Sequence, residues 1–308
     1  MVMNLTHLAA FAAVAETGSF VGGARRLMVG QPALSSHVSN LERAMKVTLF
    51  ERLPRGVRLT EAGTLLLGYA RRIWTLESQA EQAINELRGL TRGRLRIGAS
   101  TTVGAYLMPK LIGIFSARHP GVEVILDIGN AAQIEARLVH GELDLAVTEG
   151  YVENPTLSAE PVFHDRLVVI AAPSHPWAKR GKVDSASLNS TPLIMREPGS
   201  GTRDVVERAL AAKGIRPRIA MSIGSTEAIK QAVMAGLGLA IVSRMTVEHE
   251  LNSGALCEVM LTDLTIQRPI LLALILERPL GLAAAAFLPL LKNAHPPAAS
   301  TKPAVHPR

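Results

Sequence analysis

The sequence predicts a multidomain protein: a small N-terminal all-α domain with a winged helix-turn-helix, one long linker helix, and an α/β domain. Three observations predict this fold class. In residues 3–60, apolar residues recur at helical spacing in short segments, which turns with glycine or proline separate. Residues 61–87 continue the helical spacing without any proline. From residue 94 onward, apolar strands alternate with amphipathic helices. The 308 residues suffice for two or three such domains, each with its own core.

Composition and charge indicate a folded protein whose basic residues are concentrated at one end. Hydrophobic residues make up 48% and charged residues 19%, and the longest apolar runs, such as 269–276, are too short to cross a bilayer. Residues 1–60 hold seven Lys or Arg against three Glu, so they carry +4 of the net charge of +7. This bias favours a polyanionic partner such as nucleic acid, with a merely solvated basic surface as the alternative.

The single cysteine and the first residues indicate the compartment. Cys257 has no second cysteine for an internal disulfide, and its apolar neighbours predict an inert strand residue, with redox sensing as the alternative. Residues 1–7 contain no basic stretch that leads into an apolar one, so we expect no signal peptide. Together these features predict a cytoplasmic protein that does not contact a membrane.

The first sixty residues predict three short helices. The first ends at Gly18, where glycine supplies a left-handed cap, and Ser19 is placed to cap the second helix. After the turn at Val29-Gly30, Gln31-Pro32 begins the third helix. That helix has an apolar stripe and a stripe of polar side chains, namely Ser35, Ser36, Ser39 and Arg43. Such a helix suits the major groove of DNA, with a helical protein-interaction module as the alternative.

Two further features of this region suit a DNA duplex. Gln31, at the start of the third helix, can pair with adenine. The segment from Glu51 to Thr60 predicts a hairpin wing with its tip at residues 54–56. Arg52 and Arg55 on this wing can reach phosphates or a minor groove. We therefore expect a duplex-binding head in residues 3–60.

Five short runs in this head match one family pattern. They are Phe11-Ala-Ala-Val-Ala-Glu-Thr-Gly-Ser-Phe20, Ala24-Arg-Arg-Leu27, Gln31-Pro-Ala-Leu-Ser35, Leu49-Phe-Glu-Arg52 and Leu59-Thr-Glu-Ala-Gly63, with Leu41-Glu42 between them. They closely resemble the DNA-binding domain of the LysR family of bacterial transcriptional regulators. The resemblance implies that Gln31, Pro32 and Ser35 contact DNA, with Arg52 and Arg55 on the backbone or in the minor groove.

Three positions depart from the family pattern: Gly23, Gly30 and Ser36. Glycine can replace the usual serine cap at Gly30 at little cost, whereas Gly23 replaces a usual alanine inside a helix. Ser36 stands where many members carry arginine or lysine. We nevertheless count Ser36 and Ser39 among the DNA-contact candidates, because both lie on the polar stripe.

Residues 61–89 predict a dimerisation helix. Its apolar residues follow the spacing of a coiled-coil seam: Leu65, Tyr69, Ile73 or the stem of Arg72, Leu76, Ala80, Ala83 and Leu87. A dimer would cover this surface and would suit a pseudo-palindromic promoter site, whereas packing within one chain is the alternative. The family resemblance implies a homodimer or homotetramer, and RNA polymerase is a further candidate partner. Residues 89–93 predict a hinge.

The remaining chain predicts two βα sets. The first has strands at 95–99, 122–128 and 143–148 with helices at 103–118 and 131–140. The second has strands at 167–172, 218–223 and 239–242, helices at 202–213 and 227–235, and a late strand at 270–275 that should return to the first sheet. This layout resembles the two-lobed, periplasmic-binding-protein-like effector domain of the LysR family. We place it at 93–292, with lobe I at about 93–162 and 267–292, lobe II at about 163–266, and a disordered tail at 293–308.

Hydroxyl-rich helix starts predict an anion site between the lobes. Ligands of such sheets bind beyond the carboxyl ends of the strands. The candidates there are Ser100, Thr101, Thr102, Thr148, Ser200, Thr202 and Arg203. Free N–H groups at a helix start attract anions, and an arginine in the first turn opposes the helix dipole unless an anion offsets it. Plain N-capping is the alternative for each hydroxyl. Similarity to members governing sulphur assimilation and carbon fixation implies a small oxyanion, or a phosphorylated or carboxylated metabolite.

No motif predicts a cofactor, a metal site or an enzyme. The run Gly199-Ser-Gly-Thr202 lacks the lysine of a phosphate-binding P-loop, the histidines are scattered, and no nucleophile set is apparent. We therefore predict a promoter-binding regulator whose DNA binding a small, anionic effector modulates. A metabolite-binding protein or enzyme with a vestigial head is the alternative, and it should show an export sequence or a catalytic base.

Overall fold

The computed structural model describes residues 3–86, 93–276 and 278–294. The chain divides into two compact units, of which the N-terminal one extends to Glu81 and the other holds nearly all of the remaining chain. Of the predicted hinge at 89–93 only Gly93, which begins a strand, is described, and of the predicted tail at 293–308 only residues 293 and 294 are described. The tail prediction is wrong at its start, because Ala294 is buried in the core of the second unit.

The N-terminal unit forms the predicted helices and hairpin. Its elements are α1 (Leu5–Thr17), α2 (Phe20–Leu27), α3 (Gln31–Met45), β1 (Phe50–Arg52) and β2 (Val57–Leu59). Gly18 ends α1 with φ +67°, and the Ser19 hydroxyl caps α2 by accepting a hydrogen bond from the Gly22 N–H at 3.0 Å. A Cβ on Gly23 would lie 3.0 Å from the backbone nitrogen of Val14. This glycine therefore permits a close approach of α1 and α2.

Helix α4 (Glu61–Glu86) has two apolar faces. Leu66 and Ala70 are buried in the core of the head, and Ile73 is partly buried against the same core. The opposite face is exposed in the single chain and comprises Leu65, Tyr69, Arg72, Leu76 and Ala80. Because a helix turns 100° per residue, positions 72 and 73 fit the spacing from Tyr69 equally well, and only packing separates them.

The exposed face of α4 decides between the two residues predicted for one seam position. Ile73 belongs to the head core, and Arg72 takes its place on the exposed face, with its guanidinium 5.7 Å from the centre of the Tyr69 ring. Leu65 and Leu76 are 65% and 64% exposed, which leaves a long apolar strip uncovered in the single chain. The Ala83 side chain and Leu87, also predicted in the seam, lie outside the described part.

The second unit is an α/β domain. Its strands are β3 (Gly93–Ser100), β4 (Val122–Gly129), β5 (Leu145–Glu149), β6 (Leu157–Ala171), β7 (Lys182–Val183), β8 (Pro192–Arg196), β9 (Arg218–Ile223), β10 (Leu239–Ser243), β11 (Cys257–Leu261) and β12 (Ile266–Ile275). Its α-helices are α5 (Thr101–Tyr106), α6 (Met108–Arg118), α7 (Ala131–Val139), α8 (Pro176–Arg180), α9 (Gly201–Ala212), α10 (Thr226–Met234), α11 (Glu248–Ser253) and α12 (Leu282–Lys292). Two 3₁₀ helices lie at Ser185–Ser190 and Arg244–Thr246.

The strands join one sheet in the order β4-β3-β5-β12-β6-β10-β8-β9, with β11 beside β6 and β7. Strands β3–β5 with α5–α7 and α12 form lobe I, and β7–β11 with α8–α11 form lobe II. Within each lobe β3 runs parallel to β4 and β5, and β8 runs parallel to β9 and β10. The late strand β12 pairs with β5, so the predicted return to the first sheet is confirmed.

Strands β6 and β12 connect the lobes as an antiparallel pair with ten matched positions. The register shifts between Ile270 and Leu271, whose partners are Phe163 and Pro161. Pro269 lies directly before this shift and has no N–H to donate to the ladder. The ribbon is therefore irregular in its middle, where it passes from one lobe to the other.

The structure corrects three predicted elements. The expected helix at 103–118 is two helices that break at Leu107, because Pro109 begins a new helix in its first turn. Strand β6 begins at Leu157 rather than at 167, and β12 begins at Ile266 rather than at 270. The missed halves carry polar residues and proline, so they lack the apolar run on which the predictions depended.

The helix starts fall where the site was predicted. Helices α5, α7, α9 and α10 each follow the carboxyl end of a strand, namely β3, β4, β8 and β9. In the described segments, no helix combines the length and the apolar character that a bilayer crossing requires.

Candidate functional site

The polar face of α3 forms an exposed surface on the head. Gln31, Pro32, Ser36 and Ser39 are exposed and Ser35 is half-buried. On the opposite side, the apolar stripe of Leu34, Val38 and Leu41 fixes this orientation, because all three side chains are buried in the head core. The predicted contact residues of α3 therefore share one accessible face.

The hairpin presents a second basic group. Arg55 is exposed at the tip, where Gly56 turns the chain with φ +82° and its carbonyl accepts a hydrogen bond from the Leu53 N–H at 3.2 Å. The Val57 N–H donates to the Gly18 carbonyl at 2.9 Å, which fixes the hairpin to the end of α1. The side chain of Arg52 lies outside the described part of the chain.

In the α/β unit, a buried arginine lies at the carboxyl end of β8. Arg196 is 2% exposed, and its guanidinium Nη2 donates to the Thr101 hydroxyl at 3.3 Å while Nη1 donates to the Thr226 hydroxyl at 3.1 Å. Thr101 begins α5 in lobe I, and Thr226 begins α10 in lobe II. The guanidinium therefore joins helix starts of both lobes. Thr101 in turn donates to the Gly129 carbonyl at 3.1 Å.

The carboxylate of Glu197 completes the surroundings of this guanidinium. It accepts hydrogen bonds from Nε of Arg196 at 2.8 Å and from Nη2 at 3.0 Å. Burial acts to raise the pKa of Glu197, but the hydrogen bonds from Arg196, its own backbone N–H and the Asn130 amide outweigh burial and lower that pKa. Glu197 is therefore held in its ionised form beside Arg196.

Three of the predicted hydroxyls are buried without a hydrogen-bond partner among the described residues: Ser100, Thr148 and Ser200. They lie at the end of β3, in β5, and directly before α9. Thr102 is also buried. Buried hydroxyls normally find partners, so three unpartnered ones at strand ends and helix starts mark a place where a polar ligand or water can bind.

Thr202 belongs to a different network, beneath the helix start of α9. Its hydroxyl accepts from Nη1 of Arg268 at 2.6 Å and donates to Glu149 at 3.5 Å. Arg268 is completely buried on β12 and pairs with Asp165 of β6 at 2.7 Å and Glu149 of β5 at 3.2 Å. Ser243 donates to the same Asp165 at 3.0 Å. This network joins both connecting strands to both lobes.

One guanidinium in this network faces two carboxyl groups. Burial, the largest influence, raises the pKa of Glu149, although the nearby Arg268 and Arg196 act to lower it. One carboxylate oxygen of Glu149 has no hydrogen-bond partner among the described residues. A neutral Glu149 would balance the charge of the network, because one cation would then face one anion.

Arg203 points away from this network and toward α9 and β9. Its Nε donates to Glu207 at 2.7 Å, and its Nη1 donates to the Arg196 carbonyl at 3.1 Å and to Ser222 at 3.3 Å. With Ser200 it also lines a cavity of about 420 Å³ between α7, α9 and the chain after β5. The structure thus places Arg203 near Ser200 but on the outer side of the helix start.

Two further contacts join the lobes. The Tyr106 hydroxyl of lobe I bonds with Glu227 and with Nζ of Lys230, both on α10. The Arg208 guanidinium on α9 lies 4.6 Å from the centre of the Tyr151 ring, which follows β5. The chain thus adopts an arrangement in which the lobes are in contact.

Sequence reasoning missed Arg196, Glu197 and Arg268. Each arginine interrupts or ends an otherwise apolar strand, and a charge inside such a strand is the pattern that could have indicated it. Among the residues that the structure describes, no three His, Cys, Asp or Glu side chains gather as a metal site.

The comparisons agree with this architecture. The family profile described as LysR substrate binding domain matches residues 88–296, and the profile of the bacterial regulatory helix-turn-helix protein, lysR family, matches residues 5–64. Over 271 residues the chain is 39% identical to a probable RuBisCO transcriptional regulator of Porphyra purpurea, with 86% of each chain covered. It is 36% identical over 285 residues to the HTH-type transcriptional activator CmpR of Synechocystis sp., with 92% of this chain and 93% of the relative covered.

A solved structure extends the comparison to the α/β unit. The regulatory domain of CcmR from Synechocystis PCC6803, solved in complex with 2-PG, is 34% identical and superposes with a TM-score of 0.61 over 65% of this chain and 96% of that domain. These relatives match both halves of the chain in the same order. The helix-turn-helix head and the two-lobed domain therefore belong together, and the chain is a member of the LysR family of transcriptional regulators, with a DNA-binding head and an effector-binding domain.

Proposed function

We propose that this regulator senses an anionic effector whose negative group binds Arg196 between the lobes. The single observation that carries the proposal is the buried guanidinium of Arg196, which reaches the Thr101 hydroxyl of lobe I and the Thr226 hydroxyl of lobe II. A cation that contacts helix starts of both lobes is suited to an anion, because the N–H groups there add to its positive field.

The unpartnered hydroxyls support the same position. Ser100 and Ser200 belong to different lobes and lie at strand-to-helix junctions, so a ligand with several oxygen atoms would satisfy them together. The 2-PG bound to the similar Synechocystis domain makes that compound a suitable first probe. The predicted contacts of Thr102, Thr148 and Arg203 with the effector remain part of this proposal.

Effector binding would act on DNA through the contact between the lobes. A ligand that bonds to both lobes favours the arrangement in which the lobes touch over one in which they are apart. The size of this population shift is set by the difference in the affinity of the ligand for the two arrangements. We propose that the exposed face of α3 and Arg55 read the promoter as part of a homodimer or homotetramer. The protein would then act where the promoter is, which is the cytoplasm in a bacterium, and as a regulator rather than an enzyme.

The experiment compares Arg196→Met with Arg118→Met in the full-length protein. Arg118 is an exposed arginine at the end of α6, so it controls for the loss of one positive charge. Isothermal titration with 2-PG and with inorganic phosphate should show about ten- to hundred-fold weaker binding for Arg196→Met, since a hydrogen-bonded charge contributes about 1.5–3 kcal/mol. Thermal unfolding without ligand verifies that both variants fold. Equal affinities for Arg196→Met and the wild type would refute the site.

A further inference from the structure

All hydrogen-bonding nitrogens of Arg196 are already occupied in the chain itself. Two donate to the hydroxyls of Thr101 and Thr226, and two donate to the carboxylate of Glu197, with Nη2 shared between Thr101 and Glu197. This inference rests on the proposed function, in which an effector anion binds the same guanidinium. A side-by-side interaction of such an anion with Nε and Nη2 must therefore replace the Glu197 carboxylate.

Glu197 is the partner that an effector can replace. The Thr101 and Thr226 side chains are held at the first residues of α5 and α10. Glu197 lies in the loop before α9, and its side chain is 24% exposed, whereas that of Arg196 is 2% exposed. The carboxylate thus covers the more accessible side of the guanidinium. A Cβ placed on Gly224 would lie 3.9 Å from this carboxyl group, so Gly224 does not press against it.

Glu197 also makes the contacts that a ligand anion would make. Its two oxygens accept from Arg196 in the side-by-side manner in which arginine binds a free carboxylate or phosphate. The carboxylate thus occupies the edge of the guanidinium that a ligand anion of the same geometry would bind.

We propose that Glu197 is a built-in competitor for the anionic group of the effector, which binds Arg196 by displacing the Glu197 carboxylate. Displacement leaves a negative charge beside the bound ligand. A singly charged carboxylate gains little by replacing another carboxylate that is already tethered at high effective concentration. A doubly charged phosphoryl group gains more from the guanidinium and the helix starts, so Glu197 selects phosphorylated effectors over simple carboxylates.

The test uses the full-length protein, titrated with inorganic phosphate, acetate and 2-PG in a buffer free of phosphate and carboxylates. Glu197→Gln keeps the size of the side chain but removes the competing charge. It should bind phosphate about tenfold more tightly than the wild type, and its preference for phosphate over acetate should shrink. Glu123→Gln is the matched control, because Glu123 also pairs with an arginine, Arg94, but on the exposed surface of lobe I.

Each outcome decides the competitor proposal. Unchanged or weaker phosphate binding by Glu197→Gln overturns it, and so does a failure of both proteins to bind any probe, because a freed guanidinium should bind phosphate. The single variant Arg196→Met separates the two proposals. If Arg196→Met loses binding while Glu197→Gln leaves it unchanged, the effector site stands and only the competitor role falls. If Arg196→Met binds like the wild type, the site itself is elsewhere.

Discussion

Replacing Arg268 by methionine should strongly destabilise the effector-binding domain. The guanidinium is completely buried and serves Asp165 at 2.7 Å, Glu149 at 3.2 Å and the Thr202 hydroxyl at 2.6 Å. Methionine fills a similar volume but leaves the buried carboxylate of Asp165 without its cation. Breaking a buried ion pair in this way costs about 3–5 kcal/mol. That is a large part of the total stability of about 5–15 kcal/mol that is typical of a domain.

The assay is urea unfolding of the full chain in a Trp74→Phe background. The sequence has two tryptophans, so the remaining Trp177, which is buried in the core of lobe II, reports on the effector-binding domain alone. Arg166→Met is the matched control, because Arg166 lies on β6, is 46% exposed and pairs with Glu258. An exposed pair of this kind contributes about 0–1 kcal/mol.

The double variant Arg268→Met/Asp165→Asn tests the cause of the loss. If the stranded charge is responsible, removing it should recover part of the stability lost in Arg268→Met. Our interpretation of the network would be refuted if Arg268→Met destabilised the domain no more than Arg166→Met does. Additive losses in the double variant would show that lost packing, rather than charge, dominates.

Three further predictions follow from other parts of the chain. Burial raises the pKa of Glu149, so the folded protein keeps a proton that the unfolded chain releases above about pH 4.5. The bound proton stabilises the folded state at low pH, and this stabilisation is lost as pH rises from about 4.5 through the folded pKa. In urea titrations the unfolding free energy of the wild type should therefore fall by up to about 1.4 kcal/mol per pH unit in this range, and Glu149→Gln should abolish that part of the fall. Glutamate at both Leu65 and Leu76 should yield smaller assemblies in sedimentation, because like charges would be buried in the interface at a cost of several kcal/mol. Arg55→Ala should flatten the log–log salt dependence of DNA binding by about one unit in gel shifts.

Each of these three predictions has a control. Parallel stability curves for Glu149→Gln and the wild type across pH would contradict the raised pKa. For the assemblies, glutamate at Leu237, an exposed leucine of lobe II, should leave the size unchanged, and wild-type-sized particles from the double variant would place the interface elsewhere. For DNA binding, Arg118→Ala should keep the wild-type dependence on salt. If Arg55→Ala also had the wild-type salt dependence, a contact of Arg55 with a phosphate would be excluded.

The head was predictable because local rules determine it. The cap at Ser19, the left-handed Gly18 and the apolar stripe of α3 depend on residues only a few positions apart. The same locality explains why Ile73 and Arg72 stayed open as alternatives, since spacing alone cannot choose between them. Only the packing against the head core makes that choice.

The buried charges were not predictable, because their partners are distant in sequence. Arg196 bonds to Thr101, which precedes it by 95 residues, and Arg268 bonds to Asp165 across 103 residues. Sequence periodicity predicts such positions as polar interruptions of a strand. It predicted the Thr101 hydroxyl at a helix start because strand ends and caps have local patterns, but neither Thr226 nor the guanidinium that joins Thr226 to Thr101.

The irregular middle of the β6–β12 ribbon has a mechanical consequence. Because both connections between the lobes belong to one paired ribbon, any reorientation of one lobe relative to the other must deform both strands together. Bending should concentrate where the ladder is weakest, at the register shift beside Pro269 and Pro161. The ion pair of Arg268 and Asp165 lies next to this point, on the same two strands. We therefore expect the cost of bending the ribbon to depend on these few residues, none of which is among the predicted effector contacts.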